Sequence, residues 1–285
     1  MFLVKDNKSK LKTVNFSSVT MNDCETTKKM FDNCVKLEVI NMNGFKTPAC
    51  KDMSYMFEKC HSVTSVDLSG WQTGNVKKMD YMFNEFAVNR SNYRTSTKYI
   101  TVNISSFSFN KLESCKYMFN AELYSDFVKT IILPSNPDNA NAPNLKDAQR
   151  MFRKRVHLEG IENLELLATT NKLTDTTSMF SECNMLITID ISSMNLSGVT
   201  STKWMFNAAS NQTEDRLTTI YVSEDPSYAF NSSIVTNSDY MFQYRKHLVG
   251  QNGTKCDGSN NIDKTYARID TDETPGYFSV KPAGG

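Results

Sequence analysis

The chain is short of apolar residues for its size. Of 285 residues only 39% are hydrophobic, against the ~45–50% usual for a soluble domain, whereas a compact domain of this length buries roughly 75% of its unfolded surface. A thin, elongated core is easier to fill from this composition than one thick sphere. Charge of one sign is missing too: 32 basic and 31 acidic side chains leave a net charge of +1. That removes both the basic footprint of a nucleic-acid binder and the acidic balance of a disordered tail. No apolar run approaches the ~18 residues of a membrane span. Met1-Phe2-Leu3-Val4 gives way at once to Lys5, Asp6 and Asn7, too short a stretch for a signal peptide. No C-x-x-C pair, G-x-S-x-G, H-E-x-x-H or phosphate loop occurs, so nothing supports a catalytic residue, a metal or a cofactor.

What the chain has in excess is methionine. Nine of its 15 methionines are followed by phenylalanine, at Met1, Met30, Met56, Met82, Met118, Met151, Met179, Met205 and Met241, with intervals of 29, 26, 26, 36, 33, 28, 26 and 36. A unit of about 26 residues with insertions lies in the range that signals a solenoid. After each pair comes an L-x-x-I-x-L-like run, for example Leu37/Ile40/Met42, Val63/Val66/Leu68, Tyr99/Val102/Ile104 and Leu186/Ile189/Ile191. Alternation with β-branched residues predicts a short strand with one face buried. In the unit of Met151 the third apolar position is Asn163, so a distorted strand is expected there. The unit of Met241 keeps only Leu248, which marks the end of the array.

The segment around each MF pair has a different period. Cys50, Met53, Phe57 and Cys60 are spaced 3, 4 and 3, and this spacing predicts one face of a helix of about three turns. A strand and a helix per unit must stack on their neighbours to bury their apolar faces. Helices pack at 8–10 Å and parallel strands at about 4.8 Å, so the expected sheet is curved and concave.

The units Met56–Tyr81 (MFEKCHSVTSVDLSGWQTGNVKKMDY) and Met179–Trp204 (MFSECNMLITIDISSMNLSGVTSTKW) resemble the BspA-like leucine-rich-repeat variant, a 26-residue repeat of bacterial surface proteins. The segment Gly250–Phe278 is similar to the one that ends such arrays. Departures fall at 84–98, 134–144 and 207–233, where insertions replace the pattern. The resemblance implies a non-enzymatic cell-surface or secreted bacterial module tied to adhesion; it names no ligand, but it favours recognition of a host or matrix protein. The alternative is a carbohydrate-binding or purely structural spacer module. The expected fold is an α/β, right-handed, leucine-rich-repeat-like solenoid over residues 1–249, of about nine units, with a cap at 250–285. Because Met1-Phe2 stands where a unit begins, the chain is expected to belong to a longer protein or to meet a partner at its N-terminal edge, with no nucleic-acid partner and no membrane insertion of its own.

Candidate binding residues come from two places. Outward positions of the strands form small polar rows, among them Asn41, Asp67, Asn103 and Tyr221, which could offer hydroxyls and amides in a shallow groove. In the units of Met82, Met118 and Met205 the step from methionine to the leucine position lengthens from 7 residues to 17, 10 and 12, and insertions on one rim of a repeat array often form its binding face. The first of these carries Arg90, Tyr93, Arg94 and Lys98, suited to an acidic partner. Tyr55, Tyr81, Tyr117, Trp204 and Tyr240 each precede an MF methionine and are expected along the flank. His61, His157 and His247 fall in the links of separate units, so no shared histidine site is expected. Six of the seven cysteines fall in the inward register, where they act as small apolar residues. Denatured without reductant, the intact chain should therefore titrate all but at most one of its seven thiols; a lower count would expose disulfides.

Overall fold

A computed structural model of the chain describes residues 10–88, 97–122, 125–210 and 215–282. Short strands recur along it: β1 (Thr13–Asn15), β2 (Val39–Asn41), β3 (Ser65–Asp67), β4 (Ile100–Asn103), β5 (Val128–Ile132), β6 (Gly160–Glu162), β7 (Thr188–Asp190), β8 (Thr219–Val222) and β9 (Ser279–Val280). They pair in parallel as β1-β2-β3, β4-β5-β6 and β7-β8-β9. Register joins equivalent positions of successive units, Val14 beside Ile40 beside Val66, Ile131 beside Ile161, and Ile189 beside Ile220. A second parallel ladder of single-residue bridges runs Thr26, Asp52, Lys78, Ser114, Asp147, Asp175, Ser201, Asn237. The molecule is a β-solenoid.

Among the described residues the helix expected in each unit is absent, and this overturns the α/β, leucine-rich-repeat-like reading. Among the described residues the one α-helix is the four-residue α1 (Pro137–Ala140), inside an insertion and capped by the Asn136 side chain. The MF segments are runs of overlapping turns. In the coil of Met56, the amides of Met56, Glu58 and Cys60 donate to the carbonyls of Met53, Tyr55 and Phe57. The alternate amides, of Met53, Tyr55, Phe57 and Lys59, donate to Lys78, Asp80, Met82 and Asn84 of the next coil at 2.8–2.9 Å. Tyr55 and Lys59 take φ of 62° and 56°, the positive value at the third residue that marks a type II turn. A helix would send every amide four residues back along its own segment.

The 3-4-3 spacing misled because it reports which side chains point inward, and turns satisfy it as well as a helix does. Cys50, Met53, Phe57 and Cys60 are all fully buried. The spacing between coils decides the matter. Rings of Phe31, Phe57, Phe83, Phe119, Phe152, Phe180, Phe206 and Phe242 follow one another with centroids 5.3–5.8 Å apart and planes within 16°. Helices cannot approach this closely, but strands and stacked turns can. The mismatch that predicted a curved sheet therefore disappears.

Two strand details differ from expectation. Ile100 takes the inward place given to Tyr99, pairing with Val128, and the register shifts between Ile100 and Thr101; Tyr99 is left 44% exposed. β6 pairs in regular register, and the irregularity expected in it lies just beyond: Asn163 adopts φ 63° and opens a 3-10 turn, while its Nδ2 donates to Leu133 O at 3.0 Å.

From Gly250 onward the chain closes the core. β9 pairs with β8, and the rings of Tyr277 and Phe278 lie edge-on to Phe242 at 5.2 and 5.9 Å. Asp270, fully buried, ties this segment together by accepting from the amides of Asn252, Thr254 and Gly276 and from the Thr254 hydroxyl. Gly276 is required here, since a Cβ on it would stand 2.2 Å from Arg268 O.

All seven cysteines are free thiols, six of them buried and Cys24 half-buried. Burial pushes the Cys183 thiol up to about 12 and raises those of Cys50, Cys60, Cys115 and Cys256. The core is a column of rings, each touching the one before and after. Phe57→Ala should cost ~3–5 kcal/mol by the lost transfer and the cavity left behind. Hydrogen exchange should show lost protection concentrated in the coils of Phe31 and Phe83, and uniform loss along the chain would contradict a nearest-neighbour core.

Candidate functional site at the insertion rim

The tips of the three long links, residues 89–96, 123–124 and 211–214, lie outside the described residues, and with them Arg90, Tyr93 and Arg94. Their bases are well defined. In regular coils the fourth residue after the MF methionine is a buried cysteine, Cys34, Cys60 or Cys183. In the two coils that follow the second and third long links it is Arg155 or Arg245, both fully buried. Arg155 Nη1 donates to Asp126 Oδ1 and to Phe86 O, each at 2.9 Å, Nη2 to Phe83 O at 3.0 Å, and Nε to Phe119 O. Arg245 repeats the arrangement, donating to Asp215 Oδ1, Phe206 O and Asn207 O.

Each aspartate stands two residues before a buried residue that begins or precedes a strand and accepts from its amide, Val128 N to Asp126 at 2.9 Å and Leu217 N to Asp215 at 3.4 Å. The second carboxylate oxygen accepts from His157 N or Lys246 N. Every polar atom of these groups that matters for burial has a partner, which is the condition for holding an ion pair in an apolar core. We call the pair a latch: an aspartate at the foot of a long link held by an arginine of the next coil. The sequence reading missed it. The available signal was M-F-x-x-R-x-H-L, which occurs at Met151 and Met241, in the units directly after two of the long links.

The latch of Arg155 supports an aromatic patch. Val88 and Asp126 form an antiparallel bridge, and Phe127 N donates to Ala87 O at 3.0 Å while Ile100 N donates to Phe127 O at 2.9 Å. The Tyr99 ring thereby stands 5.7 Å from Phe127 and 5.5 Å from His157, with His157 Nδ1 2.9 Å from Asp126 O. Three successive coils each contribute one ring, and Tyr99 is 44% exposed.

The polar row candidates do not join this patch. Asn41 and Asp67 are neighbours on β2 and β3, Asn103 lies on β4, and Tyr221 stands between Asp190 and Ser279 in another ladder. Asn41, Asp67 and Asn103 each accept from the amide two residues ahead, at 2.9–3.0 Å, so they start the turn that leaves the strand. The Ser69 hydroxyl and amide hold the Asp67 carboxyl below its usual value. The flank aromatics do assemble. Tyr55, Tyr81 and Tyr117 stack at 4.8 and 4.4 Å, with Lys29 and Arg150 over the outer rings at 5.1 and 5.0 Å. Trp204 and Tyr240 stack separately at 6.2 Å. His61 is buried 3.6 Å from Glu85, and His247 is exposed. Among the described residues no group of His, Cys, Asp and Glu is placed to hold a metal, and no helix is long and apolar enough to cross a membrane.

Removing one partner of a buried pair strands the other charge. Arg155→Met and Asp126→Asn should each destabilise by about 3–5 kcal/mol, and the double variant by clearly less than the sum, measured by denaturant unfolding in a double-mutant cycle. Strict additivity would show that the two side chains do not act together.

Neither a curated protein nor a solved structure matches the chain. A family model described as "Mycoplasma protein of unknown function, DUF285" matches it three times, over residues 1–122, 96–220 and 146–268. The overlapping matches repeat along the array as the coils do, and between them they take in most of the chain, which therefore belongs to the DUF285 family of repeat proteins.

Proposed function

We propose that the chain is a non-enzymatic recognition module of the BspA-like kind, from a cell-surface or secreted bacterial protein, and that its insertion rim meets a protein partner. The observation that carries this reading is the Tyr99–Phe127–His157 patch. These three rings are brought together where the repeat is broken, on a base fixed by a fully buried ion pair. Exposed aromatics on a rigid scaffold are the usual anchors of protein recognition, and Arg90, Tyr93 and Arg94 belong to the link that ends at Tyr99. The surface placement rests on the family resemblance of the repeat units.

The carbohydrate reading has less to draw on. A sugar stacks on a free ring face, and Tyr55, Tyr81 and Tyr117 spend their faces on each other and on Lys29 and Arg150. Screening the chain against protein and glycan arrays, with the triple variant R90A/Y93A/R94A and with Tyr99→Ala, tests the proposal. Protein ligands are expected, with affinity reduced at least about tenfold, or 1.4 kcal/mol, in each variant. Glycan ligands alone, or affinity unchanged in both variants, would overturn it.

A further inference from the structure

A cavity of about 140 Å³ lies where the insertion following β8 meets the closing segment. Its walls are Leu196, Val222, Phe230, Ile269 and Phe278. It is independent of the rim, lying beyond β8 and against the end of the array.

Both walls are pinned. On one side the 3-10 turn Pro226–Tyr228 is capped by Asp225, which accepts from Ser227 N at 2.9 Å, and Tyr228 O accepts from Leu196 N at 2.8 Å. On the other, Asp270 N donates to Phe278 O at 3.0 Å, next to the four hydrogen bonds that Asp270 accepts. The space therefore cannot be closed by a simple side-chain shift.

Size and lining define the occupant. A cavity of about 150 Å³ admits benzene, and this partly open pocket of about 140 Å³ has room for a single six-membered ring. Phe230 and Phe278, 6.1 Å apart and tilted by 38°, offer the edge and face contacts that aromatic rings prefer. A charged ligand is disfavoured, because burying its charge against the apolar walls carries a desolvation cost. Glu224 and Arg268 are exposed, and Arg268 Nε is already committed to Pro275 O at 2.9 Å. Ser223, half-buried at the edge of the lining, can meet one polar substituent.

We infer that this cavity is a binding site for a small uncharged monocyclic aromatic molecule, a phenol-like compound with its ring inside and its single polar group toward Ser223. The test titrates benzene and phenol into the intact chain. A saturable rise in thermal midpoint is expected from ligand binding to the folded state alone, together with nuclear Overhauser contacts from ligand protons to the methyl groups of Val222 and Ile269. Ala229→Phe, at an exposed position on the lining, should weaken binding at least tenfold without lowering the midpoint of the free protein. Absence of contacts to Val222 and Ile269 in the native chain, or a midpoint that does not move with ligand, would overturn the proposal whether or not the variant folds. Binding of benzene equal to that of phenol would remove the role of Ser223 and leave an apolar site only.

Discussion

Everything in this fold follows from where alternate amides of the MF segment point. Every second N–H crosses to the carbonyl of the next coil, as Phe57 N does to Met82 O at 2.9 Å, and the amides between close local turns. That division fixes the distance from coil to coil at the spacing of β-strands, on the turn wall as well as in the strands. Once both walls share one spacing, the inward side chains must stack in columns, and a flat ring is the side chain that fills such a column without gaps. The eight-ring phenylalanine stack is the consequence, and a core only one coil wide needs few apolar residues per unit.

The same division has a local cost. The residue before each MF methionine must take a left-handed conformation for the turn to form, and it does so at Lys29, Tyr55, Tyr81, Tyr117, Arg150, Ser178, Trp204 and Tyr240, all with φ between 55° and 62°. Side chains other than glycine resist this region, and each such residue costs on the order of 1–3 kcal/mol unless its surroundings hold it. The surroundings do hold it. Because the coils are close, the side chains at this position lie directly over one another, so that tyrosine stacks on tyrosine and a lysine or arginine covers the end ring. The flank aromatics are thus a response to the turn geometry, which explains why bulky residues stand where glycine is the easy choice.

How much of this was legible depends on what each pattern measures. The MF repeat and the β-branched alternation report burial, and they placed the strand centres Val14, Ile40, Val66, Val102, Ile131, Ile161, Ile189 and Ile220 and the inward residues of the turn wall correctly. They carry no information on hydrogen-bond direction, so Cys50, Met53, Phe57 and Cys60 read equally as helix or as turns. Asn41, Asp67 and Asn103 were rightly placed facing outward, but the serine or asparagine two residues on, which makes them turn starters, went unused. Alternation alone makes Tyr99 an inward residue, and only the register shift after Ile100 turns it outward and puts Ile100 in its place. Arg155 and Arg245 were invisible to a search for apolar periodicity, since they are charged residues at core positions.

Those arginines also explain an asymmetry among the three long links. The coil after the first one has Glu122, not an arginine, at the latch position. Glu122 faces outward instead, accepting from Asn120 and pairing with Arg153 at 3.2 Å. The first link is closed from further away: Arg155 reaches across its own aspartate to Phe86 O and Phe83 O, 69 and 72 residues earlier in the chain. One guanidinium, with donors fixed in a plane, therefore serves two consecutive links, joining carbonyls from the coils of Met82 and Met118 to the carboxylate of Asp126. A lysine could not satisfy four acceptors in that arrangement, and a cysteine could satisfy none of the distant ones. Tyr99 ends the first link and Phe127 the second, so these two of the patch's three rings depend on the same buried cation. The rim is in this sense one mechanical unit, and its surface geometry is set by a residue that no partner can touch.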